Sequence, residues 1–288
     1  MTDPYAPAAE SAYETIEVER DGRVGIVRWN RPDRLNAFNG TMYAEWVEAY
    51  DAFNADPSIG AVVCTGNGRG YSAGADIGGF ERSFSGGAAP VEKSAPHAPF
   101  DPWYMAEGKP TIAAVNGVAI GIGFTSILWY DLIIASTEAR FSARFAAIGL
   151  TPELSSAWLL PRLIGLQRAK EMMLTGRIWS ADDARALGLV REVVEPGDLL
   201  PTAIARAAEI AANPEPTLGV IKRMLMEDLV AGDLSTVERR SSTNFAASRK
   251  TAEHREALLA LREKRPARYH DEQYMAELAA GLEAGERR

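Results

Sequence analysis

Lys109-Pro-Thr-Ile-Ala-Ala-Val-Asn-Gly-Val-Ala-Ile-Gly-Ile-Gly123 holds, in succession, a short apolar run, a turn and a glycine-punctuated apolar segment. Thr111–Val115 reads as a buried strand, ended by Asn116-Gly117. The apolar segment Ala119–Tyr130 follows, and then a second strand, Asp131–Ala135. An earlier stretch also sets a glycine-containing turn after a buried strand. Gly60–Thr65 is a short buried strand, Gly66-Asn-Gly-Arg-Gly70 breaks it, and Tyr71-Ser-Ala-Gly-Ala-Asp76 leads onward. Strands alternating with helical patterns predict an α/β fold. Turns of this kind present backbone N–H groups to an anion or to a developing oxyanion.

Working outward, Thr15–Arg20 alternates in the strand period, Asp21-Gly22 signals a hairpin, and Arg23–Trp29 returns as a second strand. Met42, Trp46, Ala49, Tyr50 and Phe53 recur at helical spacing and stop at Pro57. Phe84–Pro102 is rich in Gly, Ala, Pro and Ser and predicts a long, mobile surface loop. Thr151-Pro152-Glu153 carries the signals of a helix start: an N-cap Thr, a Pro at the first helical position and an acid in the first turn. Ser180–Asp183 carries another. Three helical patterns close the chain: Leu199–Ala212, Pro216–Leu229 and Leu234–Arg265, the last broken near Lys250-Thr251. The organisation predicted is a core over residues 1–196 and a helical region over 197–288.

Composition narrows the function. The chain has 288 residues, of which 47% are hydrophobic and 24% charged, which are globular proportions. Its formal charge of -8 gives no electrostatic footprint for nucleic acid or an anionic membrane. Ile120–Tyr130, the longest apolar stretch, is too short to span a bilayer. The first residues carry acids and prolines rather than a targeting pattern, so a cytoplasmic protein with a loose first dozen residues is expected. The single cysteine, Cys64, sits in an apolar strand and reads as an inert core thiol. His97, His254 and His270 form no pattern for a metal site or a catalytic triad. Gly66-x-Gly-x-Gly70 lacks the third glycine of a dinucleotide fingerprint and the Lys-Ser/Thr of a P-loop, so it reads as a turn. Asp182-Asp183 reads as helix-start chemistry.

Several segments match one family in order. They are Asn30–Ala37, Tyr71–Ile77, Lys109–Gly123, Asp131–Ala135, Leu159–Gly165, Met173–Gly176, Ala184–Val190 and Leu261–Arg265. On these the sequence resembles the crotonase, or enoyl-CoA hydratase/isomerase, superfamily. The resemblance implies a spiral of ββα turns with a C-terminal helical trimerisation region, a homotrimer or dimer of trimers. It also implies an acyl-CoA thioester ligand, with coenzyme A part of the substrate and no separate cofactor or metal. The implied oxyanion donors are the N–H groups of Ala75 and Ile122. Arg34, Ala37, Ala73, Asp76 and Lys264 fall at CoA-binding positions, the lysine commonly reaching CoA from a neighbouring subunit.

The two glutamates that activate water in hydratases are replaced here by Thr125 and Phe145. The isomerase branch carries its base just after Gly-Leu-x-x, where this chain has Gly149-Leu-Thr-Pro-Glu153. The resemblance therefore implies Glu153 as a single catalytic base, with Phe124, Thr125, Phe145, Leu154 and Trp158 around the acyl group. The bland alternative for Glu153 is an acid serving a helix dipole, worth roughly 0.3–1 kcal/mol. Three functions remain open at this point: a Δ3,Δ2-enoyl-CoA isomerase, a hydratase or other crotonase-type enzyme, and a non-catalytic acyl-CoA-binding protein.

Overall fold

The structure is a computed structural model and describes residues 13–76, 78 and 98–286. The expected loose first dozen residues, most of the expected 84–102 loop and His97 lie outside the described residues.

β1 (Ile16–Asp21) and β2 (Val24–Trp29) form the expected hairpin, with Val18 opposite Val27. α1 (Gly40–Ala55) follows, its first turn capped by the Asn39 side chain, which accepts from the Met42 N–H. Next come β3 (Ala61–Gly66), β4 (Gly70–Ser72), α2 (Pro102–Glu107), β5 (Thr111–Val115) and β6 (Val118–Ile120). α3 (Ile122–Thr125), a 3-10 turn at Ser126–Trp129, β7 (Leu132–Ser136) and β8 (Arg140–Ser142) complete the strand-rich half.

From β3 to β8, successive strands are dealt alternately into two sheets. The larger has the order β1-β2-β3-β5-β7, and all its pairs after the hairpin are parallel. The smaller places β4, β6 and β8 side by side, also parallel. Each turn of the spiral therefore contributes one strand to each sheet. The segments that leave the carboxyl ends of β4, β6 and β8 consequently emerge as neighbours, although each is dozens of residues from the next. This stacking positions the site.

The middle strands of the large sheet are covered on both faces, which explains why they read as unbroken apolar runs. Val62, Cys64, Ala113 and Val115 face an aromatic core that includes Trp29, Phe38, Trp46 and Phe100. Their alternate neighbours Ala61, Val63, Ile112 and Ala114 face a helix formed by Leu199–Ala211. That helix presents Ala203, Ala207 and Ala211, small residues spaced one turn apart, so it lies close against the sheet. Cys64 is fully buried, and burial pushes its thiol well above the usual range.

The helical half contains α4 (Ser156–Ile164), α5 (Leu166–Thr175), β9 (Trp179–Ser180) and α6 (Ala181–Ala186). β9 pairs antiparallel with β8 in the small sheet. β10 (Glu192–Val194) joins the large sheet beside β7. α7 (Leu199–Ala211), α8 (Glu215–Val230), α9 (Leu234–Ser248), α10 (Ala252–Glu263) and α11 (Glu272–Glu286) follow. α6 starts where expected, at Ser180, and the start is a capping box, Asp183 returning the bond to the Ser180 backbone. The break near Thr251 falls where expected, with Thr251 capping α10.

One helix start is corrected. α4 begins at Ser156, not at Thr151-Pro152, and its N-cap Ser155 has φ 55°. Leu154 and Ser155 both take left-handed backbone conformations, and they interrupt the chain between Pro152 and the helix. Glu153 therefore precedes the helix rather than occupying its first turn. α2 and α11 were not expected from the sequence. α2 is a six-residue helix enclosed by a proline and a glycine, capped by the Asp101 side chain.

α8 is tied to the core by charge. Lys222 Nζ lies 2.8 Å from Asp131 Oδ2 and donates to the Lys109 carbonyl at 3.0 Å, while Lys109 Nζ lies 3.5 Å from Glu215. On its other side α8 leaves Ile221 and Leu225 48% and 68% exposed. α11 folds back on α10 through Glu256, whose buried carboxylate takes bonds from Arg265, the Arg268 backbone and the Tyr274 hydroxyl. The Arg265 hydrogen bonds, the leading cause, lower that carboxyl to about 2.

Candidate active site

The first turn leaves β4 as Ala73-Gly-Ala-Asp76. The chain from Leu35 to Phe38 runs alongside it: the Ala73 N–H donates to Leu35 O at 2.9 Å, Phe38 to Gly74 O at 2.8 Å, and Asp76 to Phe38 O at 2.9 Å. In this parallel bridge the Ala75 N–H is the one not used, and it has no hydrogen-bond partner among the described residues. The second turn leaves β6 at Gly121 and opens α3. Ile122 is its first residue, so its N–H has no carbonyl one turn back, and it too is unpartnered among the described residues.

Two glycines press these turns together. Gly74 has φ 106°, and a Cβ there would stand 2.9 Å from the Ile120 carbonyl oxygen. A Cβ on Gly123 would stand 2.5 Å from Ser72 O. Only glycine at these positions lets the backbone approach this closely. The result is two N–H donors on turns packed against each other, both unpartnered among the described residues, the arrangement that stabilises a developing oxyanion.

The third segment leaves β8 and carries Phe145 and Glu153. The Thr125 hydroxyl, at the end of α3, donates to Glu153 Oε1 at 2.6 Å. Glu153 is half-buried, and loss of water raises its carboxyl above the usual carboxylate range, an effect the Thr125 hydrogen bond partly opposes. Its backbone is held as well: Glu153 O accepts from the Ser156 N–H at 2.9 Å and the Ser156 hydroxyl at 2.6 Å. The Trp129 indole donates to Leu154 O at 2.7 Å, and Trp129 and Trp158 stack with centroids 6.4 Å apart. Arg162 covers the Trp158 ring. Phe124 and Phe145 are buried, Phe124 edge-on to Phe141.

Asp76, next to Ala75, is electrostatically the opposite of Glu153. Arg31 Nη2 lies 2.8 Å from its carboxylate, and that hydrogen bond holds Asp76 below the usual carboxylate range. Arg31 also donates to Ala37 O at 2.5 Å, so one guanidinium joins the Asn30–Ala37 segment to the first turn. Sequence reasoning passed over Arg31 in favour of Arg34. It passed over Asn36 too, which is fully buried and bonds Arg31 N, Asn67 O and Gly70 O. Nothing marks either residue in isolation, because Asp76, Asn67 and Gly70, the partners that tie them to the turns, lie more than 30 residues along the chain.

The structure thus links Ala37 and Asp76 through Arg31, with Arg34 near enough to Asp76 to act on its charge, and ties Thr125 to Glu153, next to Leu154 and the Trp129–Trp158 stack. Among the described residues no side-chain hydrogen bond or ion pair joins Lys264 to any of them. Lys264 is exposed at the C-cap of α10 with φ 54°. Among the described residues no group of three or more His, Cys, Asp or Glu side chains could hold a metal ion, and no helix is long and apolar enough to cross a membrane.

Comparison with known proteins identifies the family. The family model described as enoyl-CoA hydratase/isomerase matches residues 19–272. The chain is 37% identical over 198 residues to the 1,2-epoxyphenylacetyl-CoA isomerase of Escherichia coli, covering 68% of this chain and 76% of that one. It is 32% identical over 259 residues to the crotonyl-CoA hydratase of Syntrophomonas wolfei, covering 90% and 98%. The crystal structure of an enoyl-CoA hydratase from Polaromonas sp. JS666 superposes with a TM-score of 0.81 at 28% identity, covering 88% of this chain and 99% of that one. With a matched model over most of its length and the spiral architecture in place, the chain is an enzyme of the enoyl-CoA hydratase/isomerase family, within the crotonase superfamily.

Proposed function

We propose that this enzyme moves a double bond of an enoyl-CoA thioester from the 3,4 to the 2,3 position, with Glu153 as its single base. The observation that carries the reading is the opposed environment of the two carboxylates beside the turns. Arg31 keeps Asp76 ionised and occupied, while burial makes Glu153 the more basic of the two. Glu153 removes a proton from C2. The electron pair passes into the thioester, and the negative charge on its oxygen is met by the N–H groups of Ala75 and Ile122. Glu153 then returns the proton at C4 as the double bond closes between C2 and C3. No separate cofactor is required, because proton and electron pair both stay within enzyme and substrate. The E. coli isomerase relative supports an isomerase reading.

A second reading is hydration of a 2-enoyl-CoA, favoured by the relative named crotonyl-CoA hydratase. Here Glu153 would activate water, with the Thr125 oxygen as a second contact. Phe145, buried and apolar, is a poor partner for that water. Supplying 3-enoyl- and 2-enoyl-CoA substrates of several chain types and following conjugation and hydration separately decides between the two. Faster conjugation is expected; efficient hydration with little conjugation would move the assignment to the hydratase.

Arg34, Ala37, Ala73 and Asp76 are proposed to hold CoA, with Arg31 bracing them. Lys264 reaches CoA in this scheme only from a neighbouring subunit. Assembly is supported by the apolar groove between α8 and α9, about 670 Å³ and lined by Val220, Ile221, Met224 and Phe245. Phe245 is 68% exposed in the single chain. Light scattering at micromolar concentration is expected to give the mass of a trimer or of two trimers; a monomer would overturn the assembly.

A further inference from the structure

The Thr125 hydroxyl has one proton and two acceptors in reach: Glu153 Oε1 at 2.6 Å and the Gly121 carbonyl at 3.4 Å. A short bond to an ionised oxygen prevails over a long one to a neutral carbonyl. Oε1 is therefore occupied, and Oε2 has no hydrogen-bond partner among the described residues. Thr125 is itself fixed. It is fully buried, and its N–H donates to Gly121 O at 2.9 Å. It closes the same short helix that Ile122 opens. Thr125 and the oxyanion donor Ile122 thus share one short helix, and a single side-chain hydrogen bond joins the base Glu153 to it.

Resting on the base assignment above, we propose that Thr125 is a positioning residue: its hydroxyl pins Oε1 of Glu153 and leaves Oε2 as the oxygen that carries the proton between the two carbons of the substrate. Thr125 donates whether Glu153 is ionised or protonated on Oε2, so the pin persists throughout the transfer. Charged groups on the neighbouring elements do not compete for the carboxylate. Arg144 is exposed beyond β8, Arg162 lies over the Trp158 ring, and Asp76 is engaged by Arg31. Among the described residues Glu153 forms no ion pair, and burial and the Thr125 bond are the influences on its ionisation. Removing the hydroxyl removes the contribution that favours the charged form, so the carboxyl should titrate at higher pH.

Thr125→Val keeps the shape and deletes the donor; Thr125→Ser keeps the donor. The first measurement is the carbon-13 titration of Glu153 in glutamate-labelled enzyme, its signal identified by its absence in Glu153→Gln. The second is the pH profile of kcat. In Thr125→Val the titration midpoint and the acid limb of kcat are expected to rise together, with kcat lowered about tenfold at neutral pH and KM little changed. Thr125→Ser should restore all three. An unchanged midpoint in Thr125→Val would show that the bond does not act on Glu153 and would overturn the proposal whatever the activity. A loss that Thr125→Ser fails to restore would overturn it as well, in favour of packing alone. Wild-type turnover by Glu153→Gln would instead bring down the base assignment itself, and the positioning role with it.

Discussion

Glu153→Gln is expected to lower turnover of a 3-enoyl-CoA by about 10²–10⁴-fold, the usual contribution of a positioned general base. Binding of the thioester should be nearly unchanged, because in the proposed mechanism its oxygen is held by backbone groups of Ala75 and Ile122. The amide still accepts the Thr125 hydrogen bond through its oxygen but takes up no proton at neutral pH. Stability gives a second readout. A carboxyl raised above its unfolded value costs stability where it is ionised: the cost is present above the folded pKa and is lost as pH falls below the unfolded one. Glu153 is raised by burial, so Gln should leave the melting temperature at neutral pH unchanged or slightly higher. A helix-dipole role would produce the reverse, full activity with a small loss of stability. That role already lacks its geometry, since the helix begins at Ser156 behind an N-cap at Ser155. For the wild type, the acid limb of kcat should lie above the ordinary carboxylate range, and a limb within that range would contradict the raised base.

Gly123→Ala should be nearly as damaging although it adds a single methyl group. The new carbon would stand 2.5 Å from Ser72 O and 2.8 Å from Ser72 Cβ. Backbone cannot swing aside as a side-chain tip can, so the two turns must separate. The expected loss in kcat is about 10²–10³-fold, comparable to removing one oxyanion donor. Overpacking should also cost about 1–3 kcal/mol of stability. Thermal unfolding and steady-state kinetics with the same preparation check both effects. Wild-type kcat with an unshifted melting temperature would show that the approach of the two turns is unimportant. Retained binding of free coenzyme A, which has no thioester oxygen, would place the damage at the oxyanion site rather than along the CoA segment.

Much of the architecture is legible locally. Strands such as Ala61–Gly66 and Thr111–Val115 are apolar on both faces because both faces are covered, and turn residues mark their ends. The capping box at Ser180 and the break at Thr251 are likewise local signals. The start of α4 was misplaced for an equally physical reason. Thr151-Pro152-Glu153 satisfies every local rule for a helix start, but Leu154 and Ser155 are forced into left-handed conformations where the chain bends to bring Glu153 to Thr125. Tertiary packing overrides propensity at the point where the site is assembled.

By itself the sequence determined the α/β class, the family pattern, and which residue types stand at the two turns and after Gly149-Leu150, because these depend on local periodicity, turn chemistry and matched segments. Only the tertiary structure decided the partnerships: Thr125 with Glu153, Arg31 with Asp76, and Gly74 and Gly123 with the backbone opposite. It also decided which carboxylate is raised and which lowered. The reason is that ionisation and oxyanion binding depend on burial and on distances of a few ångströms between residues dozens of positions apart. The parallel stacking of β4, β6 and β8 sets those distances, and no single segment of the chain carries them.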